Sequence, residues 1–183
     1  MTDFPLTDIE IKEIAEKLKK LEPGFLPFDL FYQFNRLKVT ITIEVVPLCL
    51  DPQGNVNVFL FNRGPDDAWW PNLSHTPGTC LIDSDIPKED EWRLPTRAFE
   101  RLKNGELNGI KLINDPIFIG NLGHQVRRGP ESVHVYIQEV DYESAKSYLF
   151  SVSNLPKNIL DHQINMIQKC ATIFKNKKSA NIN

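Results

Sequence analysis

The run Pro95-Thr96-Arg97-Ala98-Phe99-Glu100-Arg101-Leu102-Lys103-Asn104-Gly105-Glu106-Leu107 holds the side chains best placed to do chemistry. At about 100° per residue, Glu106 lies about 20° from Phe99 and on the same side as Leu102, while Arg101 points nearly opposite Phe99. The carboxylate then looks inward. In that position it needs a cation or a strong donor, and near a helix C-terminus the macrodipole opposes it by roughly 0.3–1 kcal/mol. The alternative is that Asn104-Gly105 ends the helix as a turn and leaves Glu106 in water. Periodicity alone does not choose between them.

Other candidates are scattered. Trp69 and Trp70 either stack on a base or cover core, one inward and one at the rim, and at most one of them, Trp70, belongs to a pocket. His75 precedes the Pro77-Gly78 bend, where it would donate to a phosphate. His162, in the first turns of the last helix, either reaches the pocket or covers the helix end. His124 is a candidate base and His134 alternates within a strand, but no histidine has ligand spacing to another. Pro77-Gly78 itself reads more readily as a plain turn. There is no G-x-S-x-G, no P-loop and no dinucleotide-binding glycine pattern, which removes those enzyme classes.

The segment Ala98-Phe99-Glu100-Arg101-Leu102 followed by Gly105-Glu106-Leu107 resembles the helix of the Nudix box, G-x5-E-x7-R-E-U-x-E-E-x-G-U, in the reduced form of the GDP-mannose mannosyl hydrolases. Trp69-Trp70-Pro71-Asn72-Leu73-Ser74-His75-Thr76-Pro77-Gly78-Thr79 is similar to the W-x-x-P-G-G segment that precedes the box in many members, with a longer spacer. Leu26-Pro27-Phe28-Asp29-Leu30-Phe31 and the strand from Val39 to Leu50 resemble the start of the same fold. The likeness spans roughly residues 26 to 174.

That resemblance implies metal-assisted hydrolysis of a nucleoside diphosphate linked to another moiety, a nucleotide sugar being one candidate. Magnesium would be the ion, with Glu106 and the carbonyl of Gly78 as metal ligands. Glu106 and Arg101 would be the catalytic pair. Arg63 resembles the arginine that closes the corresponding strand and faces substrate. It would clamp phosphate bidentately, unless it is a surface residue or pairs with Asp66 or Asp67. With Trp70, His75 and His162 it makes the substrate-binding set. The pattern is thinned: Leu102, Gly105 and Asn108 replace two acids and a glycine, and Thr79 replaces the second glycine of the turn. Ser84 stands where the first acid should be, and spacing does not choose among Asp83, Asp85, Glu89, Asp90 and Glu91 to replace it. A catalytically inactive ligand-binding or interaction protein is therefore the competing reading, with loss of two box acids weakening both metal affinity and water activation.

The elements that must position these residues follow from periodicity. Thr7-Asp8-Ile9-Glu10 is a capping box, and Ile11, Ile14, Ala15 and Leu18 recur at helical spacing up to Pro23-Gly24. An aromatic segment around Phe28 to Phe34 leads into a strand from Leu37 to Leu50, which Asp51 to Asn55 turns into Val56 to Phe61. Residues 62 to 95 form a long loop without period, of the kind that serves as lid or site wall. A helix from Thr96 to Leu107 follows, then strands near Ile117 to Leu122 and Ser132 to Val140. A helix from Asn158 to Phe174 comes last, with Leu160, Ile164, Ile167 and Ala171 on one stripe.

Strands running together on either side of an isolated helix predict an α+β chain with a mixed sheet held between helices, and the resemblance implies that this is a Nudix-like mixed β-sheet sandwiched between helices, with an added N-terminal helix. The expected division is 1–36 as a helical extension packed on the domain, 37–174 as the Nudix-like domain and 175–183 as a polar, fraying tail.

Composition agrees. The 183 residues are 41% hydrophobic and 25% charged, enough for one substantial core, and a net charge of −3 with a pI near 5.8 provides no field to gather nucleic acid or an anionic membrane. Cys49, Cys80 and Cys170 are odd in number and lack C-x-x-C spacing, which argues against a disulfide framework or a zinc site. No apolar run reaches the roughly 18 residues of a membrane span and Met1 to Lys20 lacks a signal-peptide core. The expectation is a cytoplasmic protein whose partner is a nucleotide-derived small molecule, without nucleic acid or membrane, with homodimerisation through the N-terminal helix as an alternative role.

Overall fold

The computed structural model describes residues 5–22, 26–85 and 96–180. Two helices, α1 (Asp8–Leu18) and α2 (Phe28–Leu37), precede strands β1 (Thr40–Leu50), β2 (Val56–Phe59), β3 (Phe61–Asn62), β4 (Ser74–His75) and β5 (Gly78–Cys80). A 3₁₀ turn at Asp83–Asp85 and helix α3 (Thr96–Asn104) come next. The long hairpin β6 (Leu112–Val126) and β7 (Gly129–Val140) leads to α4 (Tyr142–Ala145), β8 (Leu149–Ser151) and α5 (Asp161–Ala180). The strands form a mixed sheet in the order β6-β7-β1-β2-β8, with β1 parallel to β7 and β5 pairing antiparallel to β1; β3 and β4 make a separate two-stranded sheet.

Alternation along β1 sorts its side chains to two faces. Val46 and Leu48 face α5, where Val58, Val135 and Ile137 meet Met166, Ile167, Cys170 and Phe174 in one core cluster. Ile43, Val45 and Cys49 face the other way, onto Ala98, Leu102, Leu107 and Tyr136. The sheet is thus sandwiched between α5 and α3. Pro47 lies within this central strand, where a missing N–H is usually costly. Its nitrogen points the same way as that of Val45, which bonds the Pro77 carbonyl, and the pairing with β2 starts only at Leu48, so the gap falls where β1 changes neighbours from β5 to β2.

The expected capping box is present: Thr7 Oγ1 accepts from the Glu10 amide at 3.3 Å, and the Glu10 carboxylate accepts from the Thr7 amide at 2.8 Å. Within the expected 1–36 extension the two helices behave differently. Helix α1 buries no residue, whereas α2 buries Asn35 and contacts β7. The aromatic segment is a helix because Phe28, Phe31 and Phe34 recur every three residues behind Pro27, whose carbonyl accepts from the Phe31 amide. The first strand accordingly starts at Thr40 rather than Leu37. At the other end, the run from Lys175 to Ala180, expected to fray, continues α5. Lys178 bonds Glu139 at 2.5 Å and lies over the Phe174 ring, so tertiary contacts extend the helix beyond its apolar stripe.

Gly129 opens β7 at a positive φ of 132°, with its α-carbon hard against α2: an added Cβ would overlap the Asn35 backbone carbonyl. Backbone cannot swing aside as a side chain can. Gly129→Ala should cost about 2 kcal/mol, checked by urea unfolding at unchanged m-value.

Candidate active site

Glu106 is placed by the way α3 ends. The helix stops at Asn104, as the turn alternative has it, yet the next residues fold inward. The Leu107 amide bonds the Leu102 carbonyl at 2.9 Å, and both leucines are buried against the sheet. In the resemblance drawn from the sequence, Leu102 takes the place of a box acid. Its burial is worth roughly 1.5–3 kcal/mol and docks the helix, so a carboxylate at 102 would lie in the core. Anchored by Leu107, the Glu106 side chain reaches β5, and its Oε2 accepts the Gly78 amide at 3.0 Å beside the Pro77 bend.

Glu106 does not stand alone there. Gly78 is directly opposite Glu44 in the β1–β5 register, and the Glu44 carboxylate accepts from Thr76 Oγ1 at 2.8 Å and from Gln163 Nε2 at 3.1 Å. Because Val45 bonds Pro77 and Leu81 bonds Ile41, Gly78 falls in a non-hydrogen-bonded pair, and the ladder uses neither its N–H nor its carbonyl. Burial pushes Glu106 up to about 7, opposed by the Gly78 amide and by Arg63. Burial pushes Glu44 up to about 8, with Thr76 opposing and the Glu106 charge adding to the rise. The two carboxyl groups therefore flank one glycine and make each other harder to ionise.

These groups line a cleft of about 570 Å³ together with Arg63 and Arg128. Arg63 pairs with Asp67 through Nη1 at 2.8 Å, one of its expected alternatives, and it also borders the cleft, with Nε buried and unpartnered. Trp70, 8% exposed, stands behind the cleft, its ring 5.1 Å from the Arg63 guanidinium and 5.3 Å from that of Arg128. It buttresses the two cations and offers no open face. Trp69 packs on α2 through Phe28 and Tyr32.

His75 is 1% exposed. Its Nδ1–H donates to the Thr76 carbonyl at 2.7 Å, the tautomer being set by that acceptor, and Nε2 lies 3.8 Å from Glu106, beyond hydrogen-bond range. Burial and the nearby Arg63 charge lower its pKa to about 4, so the ring is neutral at pH 7. It is a wall behind Glu106, not the phosphate donor expected from its position. His162 packs edge-on to His124 at 4.9 Å and near Trp70, also behind the cleft.

Arg101 turns toward Asp85 rather than toward the Glu44–Glu106 pair. It forms an ion pair with Asp85, and its Nη2 bonds the Cys80 carbonyl at 2.9 Å and Thr79 Oγ1 at 3.2 Å. The expected catalytic arginine thus ties α3 to β5 and to the 3₁₀ turn. Of the proposed acids in the long loop, Asp85 is used by that arginine and by the Ile82 amide, while Asp83 borders the cleft. Glu89, Asp90 and Glu91 lie outside the described residues.

Among the described residues no three histidine, cysteine or carboxylate side chains gather as a metal cage. Two carboxylates and a strand carbonyl outside the ladder do fit a magnesium ion that takes its other ligands from water and from a bound diphosphate. Glu44, Arg128 and the polar row beside them were missed in the sequence. The available signal was Thr40-x-Thr42-x-Glu44, a polar face of period two at the start of an otherwise apolar strand.

Gly78→Ala tests the closeness of this arrangement. A Cβ there would fall 2.6 Å from the Glu44 carboxyl, which can move only by leaving Thr76 and Gln163. A loss of about 1–2 kcal/mol is expected, recovered in Gly78→Ala/Glu44→Ala, as a thermodynamic cycle would measure.

No protein-family model matches the chain, and no curated protein matches it significantly. Solved structures do. A mutT/nudix family protein from Listeria innocua superposes with a TM-score of 0.55 at 16% identity, covering 77% of this chain and 97% of that one. The NUDIX domain of Shewanella oneidensis NrtR, solved with ADP ribose, gives 0.53 at 14% identity over 92% and 99% of the two chains. The chain adopts the Nudix fold. The same NrtR in complex with a 27mer DNA gives 0.52 at 14% identity over 71% of this chain, which spans 59% of that protein's length. No helix among the described residues is long and apolar enough to cross a membrane.

Proposed function

We propose that the chain is a Nudix-type hydrolase acting on a nucleoside diphosphate linked to another moiety. The observation that carries this is the pair of half-buried carboxyl groups, Glu44 and Glu106, flanking Gly78 in a cleft that Arg63 and Arg128 also line. A magnesium ion held by Glu106, Glu44 and the Gly78 carbonyl would neutralise the diphosphate and lower the pKa of an attacking water. Arg63, paired with Asp67 and lining the same cleft, would bring a positive charge to the diphosphate. Thr76 and Gln163 fix the Glu44 carboxyl beside Gly78, where it would share that ion with Glu106. Arg101 is a positioning residue, acting through β5.

The competing reading, a Nudix-fold binding protein without turnover, is favoured by the leucine that occupies a box-acid position in the core. A panel of ADP-ribose, nucleotide sugars and dinucleoside polyphosphates with magnesium separates the two. Release of a nucleoside monophosphate or diphosphate, reduced at least tenfold in Glu106→Gln, supports hydrolysis. Ligands that raise the melting temperature while remaining intact would overturn hydrolysis in favour of binding.

A further inference from the structure

Helix α1 carries an apolar stripe that the rest of the chain leaves in water. Every residue from Pro5 to Glu22 is exposed, with Ile11, Ile14 and Leu18 at 41%, 44% and 37%. At about 100° per residue these three lie within about 60° of one another, with Ala15 beside them, while Ile9 points the other way. Leu21, whose amide bonds the Leu18 carbonyl, continues the row past the helix end. The steps from Ile11 to Ile14, to Leu18 and to Leu21 alternate between three and four residues, the spacing of a seam between two helices. A capped helix of 11 residues is marginal by itself in water, so the stripe needs a cover.

Charge indicates which cover fits. The first half of the helix carries Asp8, Glu10, Glu13 and Glu16 against Lys12, whereas Lys17, Lys19 and Lys20 crowd its end. Acids balance or exceed lysines over the segment as a whole, which does not suit an anionic membrane surface. Acid at one end and base at the other makes the helix complementary to itself when turned end for end. We propose that α1 pairs antiparallel with α1 of a second copy of this chain, about a two-fold axis passing between Ile11 and Ile14. In that register Ile11 packs on Ile14 of the second copy, Leu18 lies beside its Thr7, and Glu10 stands across from its Lys17, each contact being made twice. A parallel pair would instead set acid on acid, base on base and the two helix dipoles side by side. No residue of α1 lines the cleft, so the pairing is separate from the proposed hydrolysis.

Sedimentation equilibrium of the full chain from about 5 to about 500 μM reads the association, since an interface this small holds only at micromolar concentrations or above. The mass should rise from 21.0 kDa toward twice that value. Ile14→Gln should weaken association roughly tenfold or more without lowering the melting temperature of the dilute protein. Lys17→Glu, which faces Glu10 of the second copy with a like charge, should weaken it about three- to tenfold at low salt and less at high salt. Under diamide, Ile11→Cys and Ile14→Cys copies should cross-link to each other faster than either does to itself. Faster self-linking of Ile11→Cys would make the pair parallel and overturn the proposal. So would a chain that stays monomeric throughout. Its stripe would then pack on its own domain if Ile14→Gln lowers the melting temperature, or on a membrane if the monomer binds phosphatidylserine vesicles. Failure of the hydrolysis panel would not bear on the result.

Discussion

Replacing Glu106 or Glu44 by glutamine should lower turnover at least tenfold and, at the same time, make the protein more stable at pH 8. Both groups have folded-state pKa values raised from 4.5, to about 7 for Glu106 and about 8 for Glu44. Between those limits the native state holds protons that the unfolded chain has released, so stability falls as pH rises from about 4.5 to about 8 and levels off above. Glutamine cannot ionise, and its carbonyl oxygen still accepts the Gly78 or Thr76 donor. Each variant should therefore flatten the slope, visible as a smaller loss of melting temperature between pH 5.5 and 8. Magnesium makes the complementary prediction: a bound divalent cation favours the ionised carboxylates, so the ion should stabilise the wild type more at pH 8 than at pH 5.5, and the double glutamine variant at neither. A melting temperature independent of pH and magnesium would remove the carboxylate pair from the proposed mechanism.

Arg101→Met should destabilise by about 3 kcal/mol, whereas turnover per folded molecule should change far less than in Glu106→Gln. Its partner Asp85 is 3% exposed, and losing the guanidinium leaves that carboxylate buried without its cation, the costly way to break an ion pair. Arg101→Met/Asp85→Asn should recover much of the loss, since asparagine can still accept the Ile82 amide. Denaturant midpoints and a KM-against-kcat comparison at a temperature where both variants are folded distinguish this from a direct catalytic role. A large fall in kcat at full folding would restore Arg101 to the chemistry.

Sequence by itself determined the two-sided helix α3, the capping box of α1, the β1–β2 and β6–β7 hairpins and the stripe of α5. Each is a local pattern whose period or turn chemistry leaves one good solution. It also marked Gly78 and Arg63, which the cleft does bring together with Glu106. Only tertiary structure decided the rest. Glu44 is 62 residues from Glu106 in sequence, and nothing local says that a parallel β1–β7 pairing and a short β5 will set it across Gly78. Arg101 lay in the same motif as Glu106, yet the buried carboxylate of Asp85 claims it, because pairing a desolvated charge outweighs facing a solvated cleft. Thr42 was marked only by the period-two polar row of β1, and that its hydroxyl and the Asn35 amide lack partners is decided only once the surrounding walls are assembled. The fold was legible because backbone periodicity is local; the chemistry was less so because burial, which shifts the carboxyl groups and orphans the hydroxyl, is a property of the whole.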